Sequence, residues 1–212
     1  MILCAFSLFS CTSHADPRHN VNQELEMPSY EVLKAKGQFE IRVYKPYVIA
    51  KVDVSGNFDE ASSRGFRKLA KYIFGGNESN TSISMTAPVS VKAKLTPQKT
   101  EEIRYLKTFN SGSQRWQVTF SMPSKYTLKT LPIPADQHIV LSQTSSEVRA
   151  VIVFSGRVTK KSIERHERLL RNWLKEEGVS AEGEPSIARY NDPFTFPWNR
   201  RNEIMVKVEL PH

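Results

Sequence analysis

Two stretches decide the fold of this chain: AKVDVSGNFDEASSRGFRKLAKYIF, which begins at Ala50, and AVIVFSGRVTKKSIERHERLLRNWL, which begins at Ala150. They align without a gap, so that Ser55-Gly56 falls on Ser155-Gly156. Each stretch has the pattern of an apolar strand, a Ser-Gly turn and a helix with an apolar stripe. The sequence therefore predicts one β-α unit that occurs twice.

Further strands extend each copy on both sides. The copies are preceded by FEIRVY (Phe39–Tyr44) and HIVLSQ (His138–Gln143). The strands predicted after the two helices are Ser82–Val91, Arg115–Met122, Ser186–Tyr190 and Glu203–Val208. Because neither half has enough strands to bury its helix alone, we predict an α+β fold. In it, a pseudo-symmetric tandem ββαββ repeat forms a distorted β-barrel or a twisted sheet with two flanking helices.

The first residues have the pattern of an export leader. MILCAFSLFSCTSHAD is apolar and carries no charged residue before His14, and its small residues Ser13 and Ala15 favour cleavage after residue 15. We therefore predict a signal peptide over 1–15. A lipoprotein leader that ends before an acylated Cys11 is the alternative. The protein is then extracytoplasmic, either secreted or periplasmic, or anchored by a lipid.

The rest of the chain is predicted to form one domain. A short tether over 16–28 leads into this domain, which spans 29–210 and consists of two repeats, 29–127 and 137–210. Both cysteines lie in the leader, so the domain has no disulfide framework, zinc cluster or cysteine nucleophile. Nothing in the sequence predicts the oligomeric state.

Charge and motifs exclude several classes of function. The net charge is +8, which favours acidic partners, but no run of five or six cations occurs, so we predict no nucleic-acid partner. The chain lacks G-x-S-x-G, H-E-x-x-H, Walker and dinucleotide-binding motifs, and its histidines lack metal-ligand spacing. We therefore predict neither catalytic residues nor a metal site.

Six motifs together resemble the SOUL haem-binding protein family, with the branch found in plants, algae and bacteria most similar. In chain order they are SYEVL, FEIRVYKPYVIA, ISMTAPV, FSMPSKYTLKTLP, VFSGR and RRNEI, and they span Ser29 to about Val208. The resemblance implies a fold shared with GyrI-like effector-binding domains. It also implies that haem or another tetrapyrrole binds in a hydrophobic cleft beside the first helix.

The site residues that the resemblance implies are only partly present. Val43 occupies the position of the histidine that ligates iron in one family member. The KLAKY motif supplies Lys71 for a propionate, and Phe66 supplies apolar surface one turn earlier. FTFPWN lacks a further basic residue of the family, for which Arg200 or Arg201 is a substitute. These four positions are the predicted site for non-covalent, b-type haem or another porphyrin.

The main hypothesis is therefore an exported, non-enzymatic tetrapyrrole-binding protein that carries or buffers its ligand. One alternative is a small-molecule hydrolase or effector-binding protein of the GyrI-like fold, with Tyr44, Tyr47 and Tyr190 as its candidate residues. Another is a basic module that binds anionic surfaces, and a membrane contact through lipidated Cys11 is a further possibility. Asn77 and Asn80 lie in glycosylation motifs that apply only to a eukaryotic protein.

Overall fold

The computed structural model describes residues 25–94, 115–192 and 194–210. In these residues the chain forms nine strands and two helices. The strands are β1 (Tyr30–Lys36), β2 (Phe39–Tyr44), β3 (Val48–Ser55), β4 (Val89–Lys94), β5 (Arg115–Ser121), β6 (Ile139–Gln143), β7 (Glu147–Phe154), β8 (Ser180–Arg189) and β9 (Asn202–Glu209). The helices are α1 (Phe58–Ile73) and α2 (Lys160–Glu176), and a short 3-10 turn, Pro197–Asn199, precedes β9.

All nine strands form one antiparallel sheet in the order β1-β2-β7-β9-β8-β4-β5-β3-β6. Strands β1 and β6 are its edges, and no ladder joins them in the described part of the chain. The sheet is therefore open. Of the two forms predicted from the sequence, the protein adopts the sheet with two helices and not the barrel.

Apart from the edge strand β1, the strand order is symmetric about its centre. Exchanging β2, β3, β4 and β5 for β6, β7, β8 and β9 reverses the order and leaves it otherwise unchanged, with the β4–β8 pair in the middle. Strands β2 and β6 each pair with a strand of the other half, because β2 pairs with β7 and β6 pairs with β3. Each half thus completes the sheet of the other.

Both helices pack on one face of the sheet, which we call the helix side. One row of side chains on this face runs across eight strands: Phe39, Ile152, Ile204, Ile187, Val91, Val118, Val52 and Ile139. Seven of these are buried and Phe39 packs against them, so this row forms the floor of the core. The opposite face is called the open side. No helix of the described residues is long and apolar enough to cross a bilayer.

Side-chain hydrogen bonds cap the first turn of both helices. The Asn57 side chain accepts from the backbone N–H of Glu60 at 3.0 Å, and Thr159 accepts from Ser162 at 3.2 Å. These bonds satisfy donors that have no partner within the helix. Asn57 and Thr159 are therefore the N-caps of α1 and α2.

The segment from Ser82 to Pro88 is not a strand, although the sequence predicted one from Ser82 to Val91. Its polar groups are bonded elsewhere: the Thr86 hydroxyl donates to the Ser121 carbonyl at 2.6 Å, and the Ala87 N–H donates to the Glu26 carbonyl at 2.9 Å. The ladder begins only at Val89. The segment instead holds residues 25–29 across the open side.

Candidate functional site

One edge of α1 faces the centre of the sheet. Phe58, Ser62 and Phe66 are spaced four residues apart and so lie along the same edge. The Phe58 ring contacts Trp116 at 5.3 Å between centroids, and the Phe66 ring contacts Phe120 at 5.5 Å. Phe66 nevertheless remains 38% exposed, so this edge offers apolar surface to a ligand.

The close approach of α1 to the sheet depends on Gly65. A Cβ at this position would lie 2.3 Å from a methyl carbon of Val118 on β5, well inside van der Waals contact. Any larger residue would lift the helix away from the strand. Glycine therefore fixes the height of the Phe58–Phe66 edge above the sheet.

Arg189, at the end of β8, lies beside this edge. It shares the helix side with Ile187, and its guanidinium carbon is 5.3 Å from the centre of the Phe58 ring. The Arg189 Nε and the Ser62 Oγ are both buried, and neither has a hydrogen-bond partner among the described residues. A buried donor without a partner costs about 1–3 kcal/mol. These two atoms therefore favour a ligand that brings its own acceptor.

The electrostatics of Arg189 follow from its surroundings. Burial lowers its pKa, the positive charge of Arg200 lowers it further, and the carboxylate of Asp59 acts in the opposite direction. An arginine still stays protonated at neutral pH. We call the set Phe58, Ser62, Phe66 and Arg189 the Arg189 surface. It combines the exposed ring of Phe66 and the buried ring of Phe58 with the partly buried cation of Arg189, and a guanidinium fork matches a carboxylate.

The four residues predicted as the site do not come together. Phe66 is part of the Arg189 surface, and Arg200 lies close enough to Arg189 to affect its pKa. Lys71 follows Phe66 by five residues, which places it about 140° away around the helix. It falls on the edge where Lys68 pairs with Asp136 at 2.7 Å, and it faces away from Arg189.

Arg201 lies on the open side of the sheet. Its Nε and a terminal nitrogen donate to Glu203 Oε1 at 3.0 and 2.7 Å, and its guanidinium stacks on the Tyr190 ring at 4.6 Å. Since Ile204 faces the helix side, Glu203 and its partners face the other way. Arg200 is adjacent in sequence but donates to the Thr195 carbonyl in the loop before β9, so the two arginines have different partners.

The open side carries a buried polar cluster around Glu203. The carboxylate accepts from two nitrogens of Arg42 at 3.0 and 3.1 Å and from the Tyr190 hydroxyl at 2.6 Å. Arg42 also donates to the Tyr44 hydroxyl at 3.0 Å. Both Arg42 and Glu203 are fully buried, so this cluster stabilises the fold and its charges are internally compensated.

Beside this cluster lies a cavity of about 20 Å³, lined by tyrosines that include the three hydrolase candidates, Tyr44, Tyr47 and Tyr190. A space of this size holds about one water molecule and is far too small for a porphyrin. Burial raises the pKa of Tyr44 to about 12 and also raises that of Tyr190, which the charge of Glu203 raises further. Both therefore stay protonated at neutral pH and act as hydrogen-bonding groups.

The described histidines do not lie on the Arg189 surface. His138 is exposed just before β6 and contacts Asp136 at 2.8 Å. His166, on α2, stacks on Phe154 at 4.0 Å and lies 2.6 Å from the Ser162 carbonyl, and burial lowers its pKa. Within the residues that the structure describes, no three His, Cys, Asp or Glu side chains are grouped as a metal site.

The sequence of this chain matches a known protein family and named relatives. The family model described as SOUL heme-binding protein matches residues 25–207. Heme-binding protein 1 of Xenopus laevis is 28% identical over 78% of this chain and 81% of its own length. Heme-binding protein 2 of Mus musculus is 29% identical over 86% of each chain.

Solved structures resemble the chain in fold alone. The C-terminal domain of EcmrR superimposes with a TM-score of 0.59 at 10% identity, covering 81% of this chain and 97% of that one. A hydrolase from Listeria innocua gives 0.55 at 9% identity, covering 84% and 94%. These neighbours agree with the predicted GyrI-like fold. Because the family model spans most of its length, this chain belongs to the SOUL heme-binding protein family.

Proposed function

We propose that this protein binds haem or another tetrapyrrole non-covalently on the Arg189 surface, and that it acts as an exported, non-enzymatic carrier or buffer. Membership of the SOUL family supports haem binding. The observation that supports this choice of site is Arg189, a partly buried arginine whose buried Nε lacks an acceptor among the described residues. The export part of the proposal depends on residues 1–24, which lie outside the described residues. The intact mass of the mature protein tests it by distinguishing cleavage after Ala15 from acylation at Cys11.

The chemistry of a tetrapyrrole fits this surface. Its macrocycle is a flat apolar plane, and haem carries two carboxylates on flexible arms. Phe66 offers an exposed ring to one face of the macrocycle, and the α1 edge runs about 12 Å from there to the buried Phe58. Arg189 lies at the Phe58 end of this edge, where its guanidinium would pair with a propionate.

Binding on this surface does not use a histidine on the iron. Val43, at the position of the family histidine, lies on β2 opposite Val148, in the other half of the sheet from α1. The described histidines contact Asp136 and Ser162 instead. Affinity would then come from burial of the macrocycle and pairing of its carboxylates, so that iron contributes little.

Absorbance titration of the full chain tests this proposal, with hemin and metal-free protoporphyrin as the two ligands. Both should bind saturably and with similar affinity. Arg189→Met should weaken both about tenfold or more, because a hydrogen bond to a charged group contributes roughly 1.5–3 kcal/mol. Lys71→Met is the matched control, and its affinities should stay within about twofold of the unchanged protein, since Lys71 faces away from the proposed surface.

Each alternative result has a clear meaning. If Lys71→Met weakens binding and Arg189→Met does not, the ligand lies on the other edge of α1, as the family resemblance implied. A hemin affinity far above that for metal-free porphyrin would show that iron is ligated. Absence of any saturable shift with either ligand would rule out tetrapyrrole binding.

A further inference from the structure

The loop between β8 and β9 holds three aromatic side chains in water. Phe194 is 93% exposed, Phe196 is 62% exposed and Trp198 is 68% exposed. The rings of Phe196 and Trp198 stack with centroids 4.9 Å apart and planes 8° from parallel. We call these three residues the aromatic tip. Single exposed apolar residues are ordinary on proteins, but a cluster of three marks an interaction site.

A network of hydrogen bonds fixes the loop that carries the aromatic tip. The Asp192 carboxylate accepts from the backbone N–H groups of Phe194 at 2.7 Å and Thr195 at 2.9 Å. Arg200 Nε donates to the Thr195 carbonyl at 2.8 Å, and the Gly156 N–H donates to the Pro197 carbonyl at 2.8 Å. The rings are therefore presented outward by a backbone with defined partners, and their exposure does not come from a frayed end.

Several cations and one acid lie near the aromatic tip. The loop contains Arg200, Arg201 and Asp192; the Asp192 carboxylate is bonded within the loop, and Arg201 is paired with Glu203. The bond between Gly156 and Pro197 brings the turn after β7 against the loop, and this turn and the start of α2 add the exposed residues Arg157 and Lys161. Aromatic rings with adjacent Lys and Arg side chains match the boundary between lipid headgroups and acyl chains.

We propose that the aromatic tip docks this protein onto the surface of an anionic lipid bilayer. The area available favours a bilayer over a protein partner. Three aromatic side chains bury at most roughly 150–250 Å² each, whereas a stable protein interface buries about 800 Å² on each side. A bilayer accepts a small wedge of rings and adds attraction between its anionic headgroups and the surrounding cations. This proposal concerns the ligand-free protein and does not depend on tetrapyrrole binding.

The tryptophans of the chain provide a direct readout. Of the three, Trp116 and Trp173 are 0% and 3% exposed, so a change of emission on mixing with lipid reports on Trp198. The full chain without haem is titrated with vesicles of phosphatidylcholine, with and without phosphatidylglycerol. Vesicles that contain phosphatidylglycerol should shift the emission to the blue, and 0.5 M salt should weaken the association because it screens the headgroups.

Two sets of variants separate the rings from the cations. Phe194→Ala with Phe196→Ala should weaken vesicle association, measured by co-sedimentation, about tenfold or more. Phe74→Ala is the matched control and should leave association unchanged. Phe74 is also 62% exposed, but it follows the C-terminal end of α1 and is not part of the aromatic tip. Arg157→Glu with Lys161→Glu should weaken association at low salt and have little effect at high salt.

Several outcomes would overturn the proposal. They are an unchanged Trp198 emission at every lipid concentration, an equal loss of association with Phe74→Ala, and full association of the double alanine variant. Sedimentation that shows the aromatic tip joining two copies of the chain in the absence of lipid would also contradict it. Porphyrin titrations carried out without vesicles test the tetrapyrrole site separately. Failure of the membrane proposal can therefore be distinguished from failure of the tetrapyrrole proposal.

Discussion

Two arginines, the buried Arg42 and the partly buried Arg189, lie on opposite sides of the sheet and differ in their partners. On the open side, Arg42 donates to Glu203 through two nitrogens, to Glu40 at 2.6 Å and to the Tyr44 hydroxyl. On the helix side, the Arg189 Nε has no acceptor among the described residues, and the guanidinium rests on the Phe58 ring. A buried charge that is fully paired belongs to the fold, whereas one without an acceptor is suited to a ligand.

The largest expected effect is on the open side. Arg42→Met leaves the fully buried Glu203 carboxylate with fewer donors, so we expect the free energy of unfolding to fall by about 3–5 kcal/mol in urea denaturation. The double variant Arg42→Met with Glu203→Met should recover part of this loss, because it removes both charges. A single-variant loss below about 1 kcal/mol would mean that Arg42 is not the partner on which Glu203 depends.

A smaller effect is expected from Tyr190, which donates to the same carboxylate at 2.6 Å. Tyr190→Phe keeps the ring that stacks under Arg201 and removes only the hydroxyl. A hydrogen bond to a charged group contributes roughly 1.5–3 kcal/mol, and we expect the free energy of unfolding to fall by that amount. An unchanged urea midpoint would show that Arg42 and Arg201 satisfy Glu203 without it.

The smallest effect is expected on the helix side. Arg189→Met removes a buried donor without an acceptor and loses only the contact with Phe58 and the attraction of Asp59, so the two changes nearly cancel. We expect the free energy of unfolding to change by less than about 1 kcal/mol, while porphyrin affinity falls. A loss as large as that of Arg42→Met would contradict the comparison, since it would give Arg189 a structural role.

Elements of the fold that are determined by residues adjacent in sequence could be predicted. Strand β2 has the predicted bounds, because its alternation and the turn that follows it are encoded in adjacent residues. Strand β1 was not predicted: six of its seven residues are exposed, and it forms only because β2 offers a free edge. The segment before Val89 alternates like a strand, but its partners, Glu26 and Ser121, are distant in sequence.

The candidate site was predicted less well, for geometric reasons. Phe66 and Lys71 are close in sequence, but five residues of helix separate their directions by about 140°. Arg200 and Arg201 are adjacent, but Arg200 donates to the Thr195 carbonyl in the loop, whereas Arg201 donates to Glu203 on the open side. Arg189 was not predicted, although the sequence contained a signal for it. It lies two residues after the buried Ile187 on β8 and therefore faces the same side of the sheet. A charged residue at a core-facing strand position is the feature to look for.

The interleaving of the two halves has a consequence for how the chain folds. Since β2 pairs with β7 and β3 with β6, neither half can complete a sheet from its own strands. Long loops must close before these pairings form, and this entropic cost gives a high contact order and slow folding for a chain of this size. The same pairings can form between two molecules, so two chains at high concentration can exchange halves while they fold.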